Sequence, residues 1–166
     1  MKVLYILRHA KSSWDDALLA DFDRPLNRRG QEAAPFMGSF MAENSYRPEL
    51  IVSSPAKRAA QTAEHVWQAL DPRIPLEFDE QIYEASPGRL LSLITELPDR
   101  YSSALIVGHN PGIEGLIYAL TGEAVRMPTA ALAGIEFDVD RWQDAGGAAG
   151  RLAFVFRPKE LAGGIG

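Results

Sequence analysis

Residues 3–14 read "VLYILRHAKSSW". Five apolar residues, Val3 to Leu7, run into Arg8 and His9. An apolar run of this length with no polar alternation fits a strand buried on both faces, as in a parallel sheet covered by helices. A fixed cation and a titratable imidazole then stand where that strand ends. In an open α/β sheet the crevice beyond the carboxyl ends of the strands is where ligands bind. The stretch therefore sets both a fold class and a place to look for chemistry.

The rest of the chain supports that reading. Residues 10–24 form a long, mostly polar connection, and long loops inside compact domains are often functional. "PLNRRGQEAAPFMGSFMAEN" reads as a helix from Asn27, its N-cap, to Glu43. Pro35 and Gly38 mark a place where it can kink. A short strand follows at Leu50–Val52. "SSPAKRAAQTAEHVWQAL" then predicts a helix with Ser54 at the N-cap and Pro55 in the first turn. Leu76–Phe78 reads as a third strand, Gly88–Leu97 as a helix and Ala104–Val107 as a clear strand. "NPGIEGLIYALTG" predicts a helix capped by Asn110, with Pro111 in its first turn and Gly122 near its end. Ile135–Val139 and Leu152–Phe156 read as two late strands, an antiparallel pair joined by "RWQDAGGAAG". The tail "AGGIG" reads as frayed. Strands alternating with helices predict a three-layer α/β/α sandwich around a mainly parallel, mixed sheet.

The bulk numbers narrow the function. The chain has 166 residues, a size for one domain, with 46% hydrophobic and 23% charged residues. Its formal net charge of −5 argues against a broad nucleic-acid surface but permits a local cationic pocket. It has no cysteine, hence no disulfide, thiolate nucleophile or thiolate metal site. That composition fits the cytoplasm. The N-terminal apolar run is too short for a signal peptide or a membrane span.

Four groups fall at the predicted strand ends: Arg8 and His9 after the first, Arg58 one turn into the helix after the second, Glu84 after the third and His109 after the fourth. Two histidines and two arginines around one pocket suit a phosphoryl group. Guanidinium forks match phosphate oxygens and stay charged at any working pH. A neutral imidazole is a competent nucleophile. His9 would carry the phosphoryl group, while Arg8, Arg58 and His109 stabilise charge on its oxygens. An acid would protonate the leaving group. His9 and His109 lack the H-x-H, H-x-x-x-H or H-x-x-x-D spacing of a metal pair, and the neighbouring arginines would repel a cation. No metal and no cofactor is expected.

Taken together, "LYILRHAKSSW", "DFDRPLNRRGQEAA", "IVSSPAKRAAQTAE", "IYEAS" and "LIVGHNPGIEGL" resemble the histidine phosphatase superfamily, also called phosphoglycerate-mutase-like or RHG. Within it they look most like the short SixA-type phosphohistidine phosphatases. The resemblance spans roughly three quarters of the chain. It implies a single phosphoglycerate-mutase-like domain over residues 1–166. It also implies that His9 is phosphorylated and that Arg8, Arg58 and His109 hold the phosphoryl group. Ala10 departs from the family's Arg-His-Gly. Glu84 is the best positional match for the acid, with Asp15 and Asp16 as rivals. Arg24 of "DRPL" resembles a further phosphate ligand of the SixA branch, with a salt bridge to Asp21 or Asp23 as the alternative. Asn110, Ser12 and Lys11 are candidate substrate contacts. Gln61 and Thr62 read as support for the site, and Trp14 as part of its rim. A chain this short has no room for a large lid. The expected substrate is therefore a phosphohistidine-bearing protein, such as a phosphorelay domain or phosphotransfer carrier in signal transduction. A small phosphorylated metabolite is the alternative substrate, and a non-catalytic phospho-ligand module the alternative function. Partner and oligomeric state are not legible.

Overall fold

A computed structural model describes residues 1–147 and 150–161. It contains one six-stranded sheet in the order β3-β2-β4-β1-β5-β6. The strands are β1 (Lys2–Arg8), β2 (Ile51–Ser53), β3 (Leu76–Phe78), β4 (Ser103–Gly108), β5 (Leu132–Phe137) and β6 (Arg151–Phe156). β1 to β4 pair in parallel, while β5 runs antiparallel to β1 and β6 antiparallel to β5. The expected mainly parallel, mixed sheet is present.

The side-chain alternation of the central strands divides the core in two. Leu4, Ile6, Val52 and Ile106 face one layer. Tyr5, Leu7, Ile51, Leu105 and Val107 face the other. Helices α3 (Pro87–Thr95) and α4 (Gly112–Thr121) cover the first through Leu90, Leu93, Ile94, Ile113, Leu116 and Ile117. Helices α1 (Arg28–Glu43) and α2 (Lys57–Leu70) cover the second with smaller side chains, among them Ala33, Ala34, Ala59 and Ala63. Among the described residues, no helix is long and apolar enough to cross a membrane.

Asn27 caps α1 as expected, its side chain accepting from the Gly30 amide. The helix continues through Pro35 and Gly38. Gly38 is there for packing: a Cβ at that position would lie 2.8 Å from Ala69 Cβ and 2.9 Å from Val66 Cα on α2. Gly122 ends α4 in the left-handed conformation at φ 75°.

Two expected caps are corrected. Helix α2 begins at Lys57, three residues after Ser54, and α4 at Gly112, two after Asn110. The backbone of Ala56 is still extended at ψ 136°, so α2 opens only after it, and Pro111 stands directly before α4. Ser54 Oγ nevertheless accepts from the Ala56 amide at 3.2 Å. β5 also starts earlier than expected, at Leu132 instead of Ile135. The tail 162–166 and residues 148–149 of the glycine-rich connection lie outside the described residues.

Candidate active site

The site is built where β1 and β4 end side by side. Arg8 is paired with Gly108 in the sheet register, so His9 and His109 emerge at the same level of adjacent parallel strands. Their ring centroids are 5.2 Å apart. His9 is clamped by backbone on both sides: its amide donates to the Gly108 carbonyl at 3.1 Å, and its carbonyl accepts from the Ala130 amide at 3.1 Å. The next amide, of Ala10, donates to Thr62 Oγ1 at 2.9 Å, and Thr62 in turn donates to the Arg58 carbonyl. Gln61 Oε1 accepts from the Leu26 amide. Both residues act as the support expected of them, tying α2 to the chain on either side of the loop.

The His9 ring lies 2.7 Å, through Nδ1, from the Ala10 carbonyl. A carbonyl only accepts, so Nδ1 carries the proton and Nε2 of the neutral ring keeps its lone pair. Burial is the main reason the His9 pKa falls from 6.5 to about 3, assisted by His109, Arg58 and Arg8 and opposed by the Ala10 bond. His109 is lowered to about 4, by burial first and then by Arg58. Its Nε2 lies 2.7 Å from Ser54 Oγ, and its Nδ1 faces Arg58 Nη2 at 3.5 Å. Since a guanidinium only donates, His109 presents its lone pair to Arg58 and its N–H to Ser54. Both imidazoles are thus neutral at pH 7, because they are buried and because cations surround them.

The arginines are poised and incompletely paired. Arg8 gives Nη1 to the Met127 carbonyl at 3.2 Å. Arg58 gives Nη1 to the Asp21 carbonyl at 2.7 Å and Nη2 to Asp21 Oδ2 at 3.0 Å. The Nε atoms of Arg8 and Arg58 are buried without a partner among the described residues. Buried donors in folded proteins are normally satisfied, so two orphans on arginines that both act on His9 point to an acceptor the site is built to receive. Arg8 is held below its ordinary pKa by burial and by Arg58, with Glu114 opposing.

Asp21 is the component that the sequence did not reveal. The short 3-10 turn Asp21–Asp23 brings its carboxylate between two arginines. Oδ1 accepts from Arg24 Nε and Nη2, Oδ2 from Arg58 Nη2 and from the Tyr83 hydroxyl at 2.7 Å. Burial opposes ionisation, but the bonds from Tyr83 and Arg24 and the charge of Arg58 hold the carboxyl at about 2. Tyr83 is pushed up to about 12 by burial and by Asp21, so it stays a donor. An anion of the protein itself occupies part of the cationic fork.

The remaining candidates are placed as follows. Arg24 reaches the site through Asp21. It also donates to Ser12 Oγ at 2.7 Å and to the Ser13 carbonyl, and its guanidinium lies 3.6 Å over the Trp14 ring. Four of its five N–H groups are engaged. Ser12 is thereby turned to Arg24. The expected Arg24–Asp21 bridge is present at 3.1 Å. Glu84 lines, with Asp21, Arg58, Tyr83, His109 and Asn110, a pocket of about 460 Å³. It is exposed and sits at φ 54°, a left-handed conformation that is costly for a glutamate. Asp15 and Asp16 are exposed in the loop and do not line this pocket. The Asn110 amide nitrogen donates to Glu114 Oε2 and to the Met127 carbonyl, leaving Oδ1 as its unpaired atom. Lys11 lies on the other side of Arg8, in a separate cavity.

Orphaned guanidinium donors around an unprotonated imidazole can hold a tetrahedral oxyanion and offer it a nucleophile. On an α/β sheet this is the arrangement of a phosphoryl-transfer site. The family model described as the histidine phosphatase superfamily (branch 1) matches residues 4–105. The chain belongs to that superfamily, has its phosphoglycerate-mutase-like fold, and is a phosphatase. It is similar to the crystal structure of a candidate phosphohistidine phosphatase SixA from Agrobacterium tumefaciens. That likeness has 32% identity and TM-score 0.82, covering 95% of this chain and 98% of the other. A protein histidine phosphatase SixA solved with tungstate shares the fold at TM-score 0.84 and 24% identity, covering 96% and 99% of the two chains. An uncharacterised protein of Mycobacterium leprae is 31% identical, over 82% of this chain and 90% of its own length.

Proposed function

We propose that the protein removes phosphoryl groups from phosphohistidine in proteins, without a metal, through a phosphoenzyme on His9. The single observation that carries the reading is the 2.7 Å contact of His9 Nδ1 with the Ala10 carbonyl. It leaves Nε2 unprotonated, and burial keeps it so across the physiological range. In the first step Nε2 forms a bond to phosphorus as the bond to the leaving nitrogen or oxygen breaks. The leaving group departs with a proton. Water then adds to phosphorus as the P–Nε2 bond breaks, giving inorganic phosphate and neutral His9. Arg8, Arg58 and His109 bear the charge on the equatorial oxygens, a role a metal plays elsewhere. The dianion raises the affinity of His109 for a proton, so binding favours its cationic, donating form. Glu84 at the pocket wall acts as the acid for alkyl and aryl esters. A phosphorylated imidazole needs that acid less, because its P–N bond breaks readily once the ring is protonated.

A protein substrate is supported by the rim. Trp14, Leu18, Leu19 and Phe22 are large apolar side chains left exposed, all on the loop that carries Asp21. Clustered exposed apolar groups around a polar centre suit contact with another protein. The similarity to the Agrobacterium protein supports the same substrate class.

The test is rapid-quench mixing with a labelled phosphohistidine protein and with phenyl phosphate, chelator present. The expected result is a phosphoenzyme that survives alkali and is lost in acid. His9→Ala should abolish it, with turnover down by at least about 10³-fold. A His9→Ala enzyme that turns over normally would refute the covalent mechanism. Turnover of phenyl phosphate alone would point to the small-metabolite alternative.

A further inference from the structure

On the far side of Arg8 from the candidate active site lies a second cavity of about 490 Å³. It gathers five cations, Arg8, Lys11, Arg126, Arg157 and Lys159, against one carboxylate, Glu160. This occurs in a chain whose formal net charge is −5. Among the described residues, Glu160 pairs with Arg157 at 3.2 Å, while the side chains of Lys11, Arg126 and Lys159 have no ion pair. The walls are tied together: Arg157 Nε donates to the Arg126 carbonyl at 3.2 Å, and Pro158 is buried. Arg8, which lines the cavity, and Asn110, which lines the candidate active-site pocket, both donate to the Met127 carbonyl, so one carbonyl braces a residue of each. Like charges lining one cavity repel one another, and an arriving anion relieves that repulsion.

We propose that this cavity is a second anion subsite, which takes an acidic side chain flanking the phosphohistidine on the substrate protein. Arg8 lines this cavity and its charge also acts on His9, so it links the subsite to the candidate nucleophile. The inference rests on the proposed function and deepens it, since it makes the charge of the substrate beside its phosphoryl group a determinant of specificity. Arg126 and Lys159 are exposed, take no part in the candidate active site, and supply the added recognition. The chemistry recognised is a second negative group, which a small molecule with a carboxylate beside its phosphate could also offer.

The experiment compares kcat/KM on two histidine-phosphorylated peptides that differ only in carrying glutamates or glutamines beside the phosphohistidine. Phenyl phosphate serves as the single-anion control and 4-carboxyphenyl phosphate as the small-molecule arm. Wild type is expected to favour the acidic peptide by about fivefold, the scale of two partly exposed charge contacts, with the preference shrinking as salt rises. Arg126→Ala combined with Lys159→Ala should bring the ratio to about one while phenyl phosphate turnover stays unchanged. The milder Arg126→Gln should lower it part of the way. Equal rates in wild type, or a preference that survives the double substitution, would overturn the subsite. Discrimination confined to 4-carboxyphenyl phosphate would overturn the protein side chain as its occupant. If wild type fails on every substrate, the phosphatase mechanism has failed. Calorimetric titration with pyrophosphate then tests the subsite by itself: binding several-fold tighter than inorganic phosphate and weakened in the double variant upholds it, and equal binding refutes it.

Discussion

The end of β1 and the loop that follows it are neighbours in sequence and opposites in construction. His9 is held by backbone bonds to β4 and to Ala130, and it is 6% exposed. Asp21, twelve residues on, sits in a 3-10 turn closed by the Arg24 amide, and its carboxylate is positioned by the side chains of Arg24, Arg58 and Tyr83. The two regions meet at Arg58, which faces His109 and grips Asp21. The nucleophile is placed by the sheet, and the charge around it is balanced by a carboxylate on a loop. Backbone pairing and side-chain pairing thus divide the two tasks.

This contrast can be broken first at the residue the two regions share. Arg58→Ala removes the principal cation beside His109 and should lower kcat by about 10²–10³-fold, read by steady-state kinetics on phenyl phosphate. Glu84→Gln should slow phenyl phosphate by about 10–10²-fold and phosphohistidine far less. Equal losses on both substrates would contradict the leaving-group argument. Asp21→Asn tests the loop. The amide keeps the shape and loses the charge that competes for the fork, so inorganic phosphate should inhibit several-fold more strongly. Unchanged inhibition would show that Asp21 does not compete with the phosphoryl group.

The smallest effect separates the regions by acid. His9 and His109 have folded pKa values of about 3 and about 4, below the ordinary 6.5. As pH falls below about 6.5, the unfolded chain takes up protons on these rings and the folded chain does not, so stability declines until the folded values are passed. Asp21, held at about 2, adds its loss only below the ordinary 3.8. The melting temperature should therefore fall from pH 7 to pH 4, with a shallower slope in His109→Gln. An equal slope in that variant would show that His109 does not drive the decline.

Much of this was legible in sequence because the central strands are apolar on both faces and end on charged residues. Arg8, His9, Arg58 and His109 come together as the strand ends required, and Glu84 lines one pocket with Arg58 and His109. The late start of α2 has a local cause, the extended backbone at Ala56, which no residue pattern announces. The late reading of β5 has a tertiary one. Ala133 and Gly134 look weak as strand residues, yet Gly134 is small because the Phe154 ring lies over it, 2.4 Å from where a Cβ would be. The Arg24 alternative, a bridge to Asp21, was readable at a spacing of three residues. The reach of Asp21 to Arg58, across 37 positions, was not, since no local pattern records a contact between a loop and a distant helix.

The register of β1 against β4 has a wider consequence. Adjacent strands lie about 4.8 Å apart in every sheet, and the two imidazoles stand 5.2 Å apart because each follows one member of a paired register. The starting points of the two rings are in effect a fixed gauge, machined by the backbone, while Ser54, Arg58 and the Ala10 carbonyl aim the rings themselves. New substrates can be accommodated only by rewriting what surrounds the gauge: the turn that carries Asp21, the pocket wall at Glu84 and the basic cavity beside Arg8.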